Sequence, residues 1–167
     1  MARSAELVAA PLQSSELDDI DVRLLGALQA NGRATYAELA AGVGLKPPAT
    51  FERVRGLESR GIIRNYGARI DAPKVGLGLV AFVSCFTTPD PGDAGYDDLI
   101  ASIAKHPEVL EVHSVAGDES YILKVITRST THLDELLTRL KTTAGIARTR
   151  TTVVLSTPFE RDGIALR

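Results

Sequence analysis

The sequence holds one cysteine, Cys85, and a single thiol closes no internal disulfide. That usage fits a reducing compartment such as the cytoplasm. Cys85 lies within the apolar run LVAFVSCF, where a buried strand position is expected rather than a reactive one. No apolar run approaches the roughly 20 residues of a membrane span, so no membrane partner is expected. The opening MARSAELVAAPLQSSE lacks the long apolar core of a secretory signal, and residues 1–15 read as a disordered leader. No CxxC or HExxH spacing occurs. The three histidines, His106, His113 and His132, are scattered, so no metal, cofactor or nucleophilic constellation is expected. The GLG at Gly76–Gly78 is no dinucleotide loop, because it lacks the third glycine and precedes a strand.

The formal net charge of −2 argues against nucleic-acid binding only until it is divided along the chain. Residues 1–30 are net −3 and residues 71–167 are net −3, but residues 31–70 are net +4. The seven cations of that stretch are Arg33, Lys46, Arg53, Arg55, Arg60, Arg64 and Arg69. A local basic surface is what phosphate binding requires, since affinity comes from the contacting residues and the counterions they release. A solvated helix face of mixed charge reads the same way on composition alone.

Apolar spacing predicts three helices in the first 70 residues. Leu17, Ile20, Leu24 and Leu28 mark the first, Leu17 to Ala30, with Asp18, Asp19 and Asp21 in its first turn, where the helix dipole favours carboxylates. An Asn-Gly stop at Asn31-Gly32 ends it. Thr35 with Glu38 forms a capping box for the second helix, which stops at GVG. The third runs from Pro47 to about Arg60. Its prolines are tolerable because first-turn N–H groups lack intrahelical partners anyway. Thr50, Val54 and Leu57 share its inner side, with Phe51 at the edge; Pro48, Ala49, Glu52, Arg55 and Ser59 face outward. Gly61 ends it, and IIRNYGARID reads as a strand with a turn. Two helices a few residues apart form the helix-turn-helix pattern, whose second member enters the DNA major groove, although pairs of this kind that bind nothing are common.

DAPKVGLG, rich in glycine and proline, reads as a boundary. Beyond it the order is strand LVAFVSCFTT, helix AGYDDLIASIAKH, strands EVLEVHSVAG and SYILKVIT joined at Gly117-Asp118-Glu119, helix THLDELLTRLKTTAG and strand IARTRTTVVLST. This βαββαβ order is the ferredoxin-like arrangement. That fold serves metabolite binding, catalysis and oligomerisation alike.

Five stretches, LDDIDVRLLGALQANGR, ELAAGVGL, FERVRGLESRGIIRNYGARID, VAGDESYILKV and TRTTVVL, occur in the order found in one family. Over residues 17 to about 157 the chain resembles the leucine-responsive/asparagine-type (Lrp/AsnC) transcription regulators, also called feast/famine regulators. The resemblance implies an α+β chain: a winged helix-turn-helix domain over residues 16–70, a linker at 71–78, a ferredoxin-like ligand-sensing domain over 79–157 and a tail at 158–167. It implies binding to double-stranded DNA and dimers that assemble further, often to an octameric ring. It also implies an amino-acid effector bound between subunits. Arg53, Val54, Leu57, Glu58 and Gly61 stand where the family pattern places them, whereas Lys46 replaces the usual serine cap and Gly56 a usual basic residue. A lost cap costs about 0.5–2 kcal/mol. Lys46 instead sets a charge beside the helix N-terminus, unfavourable to the dipole unless an anion comes.

The expected roles follow. Pro48, Ala49 and Glu52 lie near base edges, with Glu52 able to accept from a cytosine amino group. Arg33, Lys46, Arg55 and Arg64 contact phosphates. Arg53 sits at the flank, where an internal salt bridge is the plainer reading. The resemblance puts the effector pocket at GDESY, Gly117, Asp118, Glu119, Ser120 and Tyr121, where this chain has Ser-Tyr in place of the family's frequent Asp-Tyr. Asp118 or Glu119 would pair with an α-amino group and turn N–H groups with an α-carboxylate. Lys141, Thr149 and Thr151 would approach from a neighbouring subunit. Asp118 and Glu119 are equally ordinary hairpin residues. Two other readings remain. One is an enzyme resembling the siroheme decarboxylases, needing His113 with Arg148 or Arg150 against a tetrapyrrole. The other is an oligomerisation or metabolite-buffering module.

Overall fold

The computed structural model describes residues 17–87, 92–143, 145–161 and 163–166. The expected leader, residues 1–15, lies outside them. The chain forms two compact units: one runs to Ala68 and takes in Glu160–Arg167, and the other is Arg69–Phe159.

The first unit is built on α1 (Asp19–Ala30), α2 (Tyr36–Val43) and α3 (Pro47–Ser59). α1 starts two residues later than its apolar spacing suggests, because Asp18 is its cap and accepts the Asp21 N–H at 2.8 Å. Its end is not a left-handed glycine stop. Asn31 is extended at φ −146° and its carbonyl takes the Ala34 N–H at 3.1 Å. The capping box of α2 forms as expected, with both reciprocal bonds between Thr35 and Glu38 present. Those bonds hold the Glu38 carboxyl below its ordinary value. Gly44 closes α2 at φ 75°. α3 has Lys46 at its cap with no side-chain bond. It ends in a Schellman motif: Ile62 N–H reaches the Leu57 carbonyl at 3.0 Å and Gly61 N–H the Glu58 carbonyl at 2.9 Å, with Gly61 at φ 69°. Leu24, Leu39, Val43 and Val54 form the core, with Thr50 and Leu57 also buried. The Thr50 hydroxyl donates to the Lys46 carbonyl at 3.2 Å, so its burial leaves no polar atom unmet.

One expectation is corrected. The strand read in IIRNYGARID does not form: residues 64–70 carry neither helix nor strand. A lone extended segment beside three helices has no neighbouring strand with which to exchange main-chain bonds. The expected linker, residues 71–78, holds a single 3-10 turn at Pro73–Val75.

The second unit follows the expected order: β1 (Leu79–Thr87), α4 (Gly92–Ile103), β2 (Val109–Ser114), β3 (Tyr121–Thr127), α5 (Thr130–Lys141) and β4 (Ile146–Val153). The strands form one antiparallel sheet in the order β2-β3-β1-β4. α4, α5, β2 and β4 stop a few residues short of their apolar runs. Alternation decides the two faces. Ala81, Val83 and Cys85 of β1 and Tyr121, Leu123 and Val125 of β3 are buried with Leu99, Ile103, Leu133, Leu136 and Leu140 of the helices. The opposite face carries Phe82, Ser84, Ile122, Lys124 and Arg150. Burial pushes the Cys85 thiol up to about 11, consistent with a packing role.

Leu136 is fully buried between α5 and the sheet. Leu136→Ala is expected to lower unfolding stability by about 2–5 kcal/mol in urea titration, from lost burial plus the cavity left behind.

Candidate nucleic-acid interface and effector site

In the first unit the Arg53 guanidinium sorts the faces of α3. One nitrogen, Nη1, donates to Asp18 Oδ2 at 2.7 Å and to Asp21 Oδ1 at 2.9 Å. The Asp21 N–H bond first, and Arg53 next, hold the Asp18 carboxyl below its ordinary value. Both carboxylates raise Arg53 further above its own. This is the internal salt bridge expected for Arg53. Arg23 is also used internally, donating to the Gly42 carbonyl. By contrast, among the described residues Arg33, Lys46, Arg55, Arg60 and Arg64 have no carboxylate partner, and all are exposed.

Lys46, Pro48, Ala49, Glu52 and Arg55 lie together on the outward side of α3, whose buried residues are Thr50, Val54 and Leu57. Arg33 lies in the α1–α2 turn, its N–H bonded to Asn31 Oδ1 at 3.0 Å, and Arg64 lies beyond α3. Sequence reasoning counted Arg60 as basic but gave it no role. It is the C-cap of α3 and belongs with the available cations.

Behind α3 a cavity of about 210 Å³ is lined by Leu28, Gly32, Ala34, Tyr36, Leu39, Val54, Glu58 and Tyr66. The Tyr66 hydroxyl donates to Glu58 Oε1 at 2.9 Å, and Tyr36 meets Phe51 edge to face at 5.2 Å. Neither pairing was foreseen, since Tyr66 was read as part of a strand.

In the second unit the β2–β3 turn carries the GDESY residues. Glu119 is ion-paired with Arg150 and lies 3.4 Å from the Ser84 hydroxyl. Strand register explains the meeting: Ser84 is paired with Arg150 on β4 and with Ile122 on β3, so these positions share the face opposite the helices. Ser120 is a structural tie. Its N–H donates to the Cys85 carbonyl at 3.0 Å and its hydroxyl meets Thr87 Oγ1 at 2.8 Å. The Ser120 amide is therefore spent, and only the remaining turn amides are left for an anion.

The structure divides the expected effector residues. Gly117 and Asp118 are exposed at the turn beside Glu119. Tyr121 is buried on the helix side in the row Tyr121–Cys85–Thr149, and Thr151 lies in the next row on that side, opposite Val83. Burial, followed by Tyr96 and Asp97, raises the Tyr121 phenol. Lys141 is exposed at the end of α5. Within one chain Tyr121, Lys141, Thr149 and Thr151 are thus not gathered around Glu119, whereas Arg150 is.

His113 bonds Glu111 at 2.8 Å, and Lys124 bonds the same carboxylate at 3.0 Å. Lys124 first, then His113, lowers Glu111. Arg148 lies 4.0 Å over the Phe86 ring. His113, Arg148 and Arg150, the set a tetrapyrrole would need, are each engaged by a partner on this chain. Elsewhere Glu108 takes bonds from His132 at 2.9 Å and Arg139 at 2.6 Å. Burial opposes its ionisation, but its own N–H, His132 and Arg139 outweigh that and hold it low. No helix among the described residues is long and apolar enough to cross a membrane.

A helix-turn-helix with unpaired cations around its second helix, in one chain with a ferredoxin-like unit, defines a DNA-binding regulator of two-unit type. Residues 17–58 match the family model of the AsnC-type helix-turn-helix domain, and residues 80–164 that of the Lrp/AsnC ligand binding domain. The chain belongs to the Lrp/AsnC family of transcriptional regulators. It is similar to the HTH-type transcriptional regulator LrpA of Mycobacterium tuberculosis, 48% identical over 141 residues that span 84% of this chain and 91% of that protein. It is also similar to the glutamate uptake regulatory protein of Zymomonas mobilis, 36% identical over 75% of this chain and 76% of that one. A solved feast or famine regulatory protein from M. tuberculosis complexed with L-methionine superimposes with a TM-score of 0.79 at 46% identity, covering 87% of this chain and 96% of that one. Escherichia coli AsnC gives a TM-score of 0.79 at 28% identity, covering 87% and 97%.

Partial burial, then the Glu58 carboxylate, pushes the Tyr66 phenol up to about 12. A folded-state value raised above that of the free phenol stabilises the fold below about pH 10, and that contribution is lost as pH rises toward 12. Ultraviolet titration is expected to find one tyrosine ionising near pH 12, and Glu58→Gln is expected to bring it down.

Proposed function

We propose that this regulator reads a specific DNA site through the outward face of α3, and that a free amino acid held at Glu119 and Arg150 alters its DNA affinity or its assembly. The DNA half rests on the unpaired cations. Lys46 and Arg55, with Arg33 and Arg64 flanking, are set to contact phosphates, while Pro48, Ala49 and Glu52 approach base edges. Arg55→Ala is expected to weaken binding to all sequences alike and to flatten the salt dependence by about one unit of slope. Glu52→Ala is expected to relax sequence preference at about one position. Binding to DNA upstream of the protein's own gene, measured from low to moderate salt, is the check. Absence of any selective binding at low salt would overturn this half.

The effector half is carried by one observation, the Glu119–Arg150 pair on the open sheet face. An amino-acid zwitterion complements it charge for charge: Glu119 takes the ammonium group, and Arg150 with the free turn amides takes the carboxylate. Arg150 can swing away, its side chain being 67% exposed, while the incoming ammonium group replaces it at the largely buried Glu119, 17% exposed. The L-methionine bound by the M. tuberculosis relative supports an amino acid with an apolar side chain. Phe82, Ile122 and Ile126 lie on the same face, an apolar surface for a second copy to cover in a dimer. From that neighbour Lys141, Thr149 and Thr151 would close the pocket, and dimers would assemble further to an octamer. The ligand shifts DNA binding only if it favours one assembly over another. Calorimetry across the amino acids is expected to find one or a few that bind. Glu119→Gln and Arg150→Ala are each expected to weaken binding by about tenfold or more. Equal binding by both variants would remove the pair from the site.

A further inference from the structure

The C-terminal residues are the part of the chain for which the sequence offers no role, yet they make a defined contact. Gln29, one residue from the end of α1, bonds the main chain of Ile164 twice. The Ile164 N–H donates to Gln29 Oε1 at 2.8 Å, and Gln29 Nε2 donates to the Ile164 carbonyl at 3.3 Å. One side-chain amide thus satisfies both main-chain groups of one residue, as a neighbouring strand would. The recognition reads backbone rather than side chain, since Ile164 is 75% exposed. The preceding residue must be small. A Cβ on Gly163 would clash with Gln29 Oε1 and stand 2.8 Å from its Cδ, so a side chain there forces the Gln29 amide to move from its place against Ile164. Consistent with these contacts, Glu160–Arg167 group with the helical unit and not with the sheet whose last strand they follow.

We infer that the last turn of α1 is a docking site for a peptide main chain, and that its occupant is this chain's own residues Gly163–Ile164. The docked tail has a mechanical consequence. Gln29 lies two residues before Asn31, whose side chain fixes the Arg33 N–H at 3.0 Å. The tail therefore pins the helix end that sets the α1–α2 turn and its phosphate-facing cation. It also gives the DNA-binding unit a second covalent tie, since the chain leaves that unit at Ala68 and returns to it at Glu160.

The docking stands on its own contacts, whereas its effect on DNA rests on the reading of Arg33 and α3 given above, so the test separates the two. Amide hydrogen exchange in the full chain is expected to show the Ile164 N–H protected about tenfold or more over that of Ala165. Gln29→Ala and Gly163→Val are each expected to abolish that protection. The second variant alters only the tail, so it answers the objection that a change in α1 merely unfolds the helix. Both are expected to weaken DNA binding about threefold with an unchanged salt slope, because no phosphate contact is removed. An unprotected Ile164 amide in the parent chain, or protection that survives both substitutions, overturns the docking. Protection that rises with protein concentration overturns its placement within one chain in favour of a tail from a second copy. Lost protection with unaltered DNA affinity overturns the link to Arg33. DNA binding indifferent to Arg55→Ala, with Ile164 protection present in the parent chain and lost in Gln29→Ala and Gly163→Val, would discard the DNA reading and leave the docking in place.

Discussion

The double ion pair of Arg53 is the constraint on which the DNA-binding unit turns. A helix such as α3, with Thr50, Val54 and Leu57 buried on one side and Pro48, Ala49, Glu52 and Arg55 exposed on the other, can rotate by a fraction of a turn at small cost to its apolar burial. The Arg53 nitrogen removes that freedom, because it must reach both the cap of α1 at Asp18 and the nearly buried Asp21. A mispacked α3 would strand the nearly buried Asp21 without its cation, while the half-exposed Arg53 and Asp18 limit what the pair adds in net stability. The pair therefore contributes register more than energy. With Arg53 turned inward, Pro48, Ala49, Glu52 and Arg55 are committed outward.

A comparable division governs the sheet. Strand alternation sends Val83, Cys85, Leu123 and Val125 toward the helices and leaves Phe82, Ser84, Ile122 and Lys124 on the open side. Two cations on that open side are paired within the chain, Lys124 with Glu111 and Arg150 with Glu119, and a third, Arg148, lies over the Phe86 ring. Covering such a face with another copy buries mostly charges that already have a partner on this chain. On the effector reading proposed above, one zwitterion would take the place of the Glu119–Arg150 ion pair, so its entry would leave the local charge balance unchanged.

What the sequence made legible and what it did not divide by sequence separation. The capping box of Thr35 and Glu38, the Gly44 and Gly61 stops, the inward face of α3 and the βαββαβ order are all written within a few residues. Propensity and period suffice to read them. The pairings Arg53 with Asp18, Glu119 with Arg150 and Gln29 with Ile164 span 35, 31 and 135 residues, and no local pattern encodes them. The expected wing shows the same limit from the other side. IIRNYGARID has strand-like composition, but a strand exists only where a neighbouring strand exchanges main-chain bonds with it, and residues 64–70 form no strand. The family resemblance grouped Tyr121 with its turn neighbours, while strand parity carries it to the face opposite Ser84 and Arg150.

The entrance of α3 bears on how such a helix can hold DNA. A helix N-terminus usually offers an anion several main-chain N–H groups along with its dipole. Here Pro47 and Pro48 occupy the first two positions and have no N–H to give, and the Thr50 N–H is bonded to the Lys46 carbonyl at 3.0 Å. Ala49 is left as the first amide the helix can present. A phosphate at this end would be held by the Lys46 ammonium and the helix dipole, with little of the directional amide cradle. Such a contact is strong in charge and loose in geometry, so it tolerates small shifts along the backbone. On the proposed reading, fixing register on the DNA would fall to groups elsewhere on the unit, Arg55 on α3 and Arg33 in the α1–α2 turn. How firmly the fold holds that turn would then set how precisely Glu52 is presented to base edges.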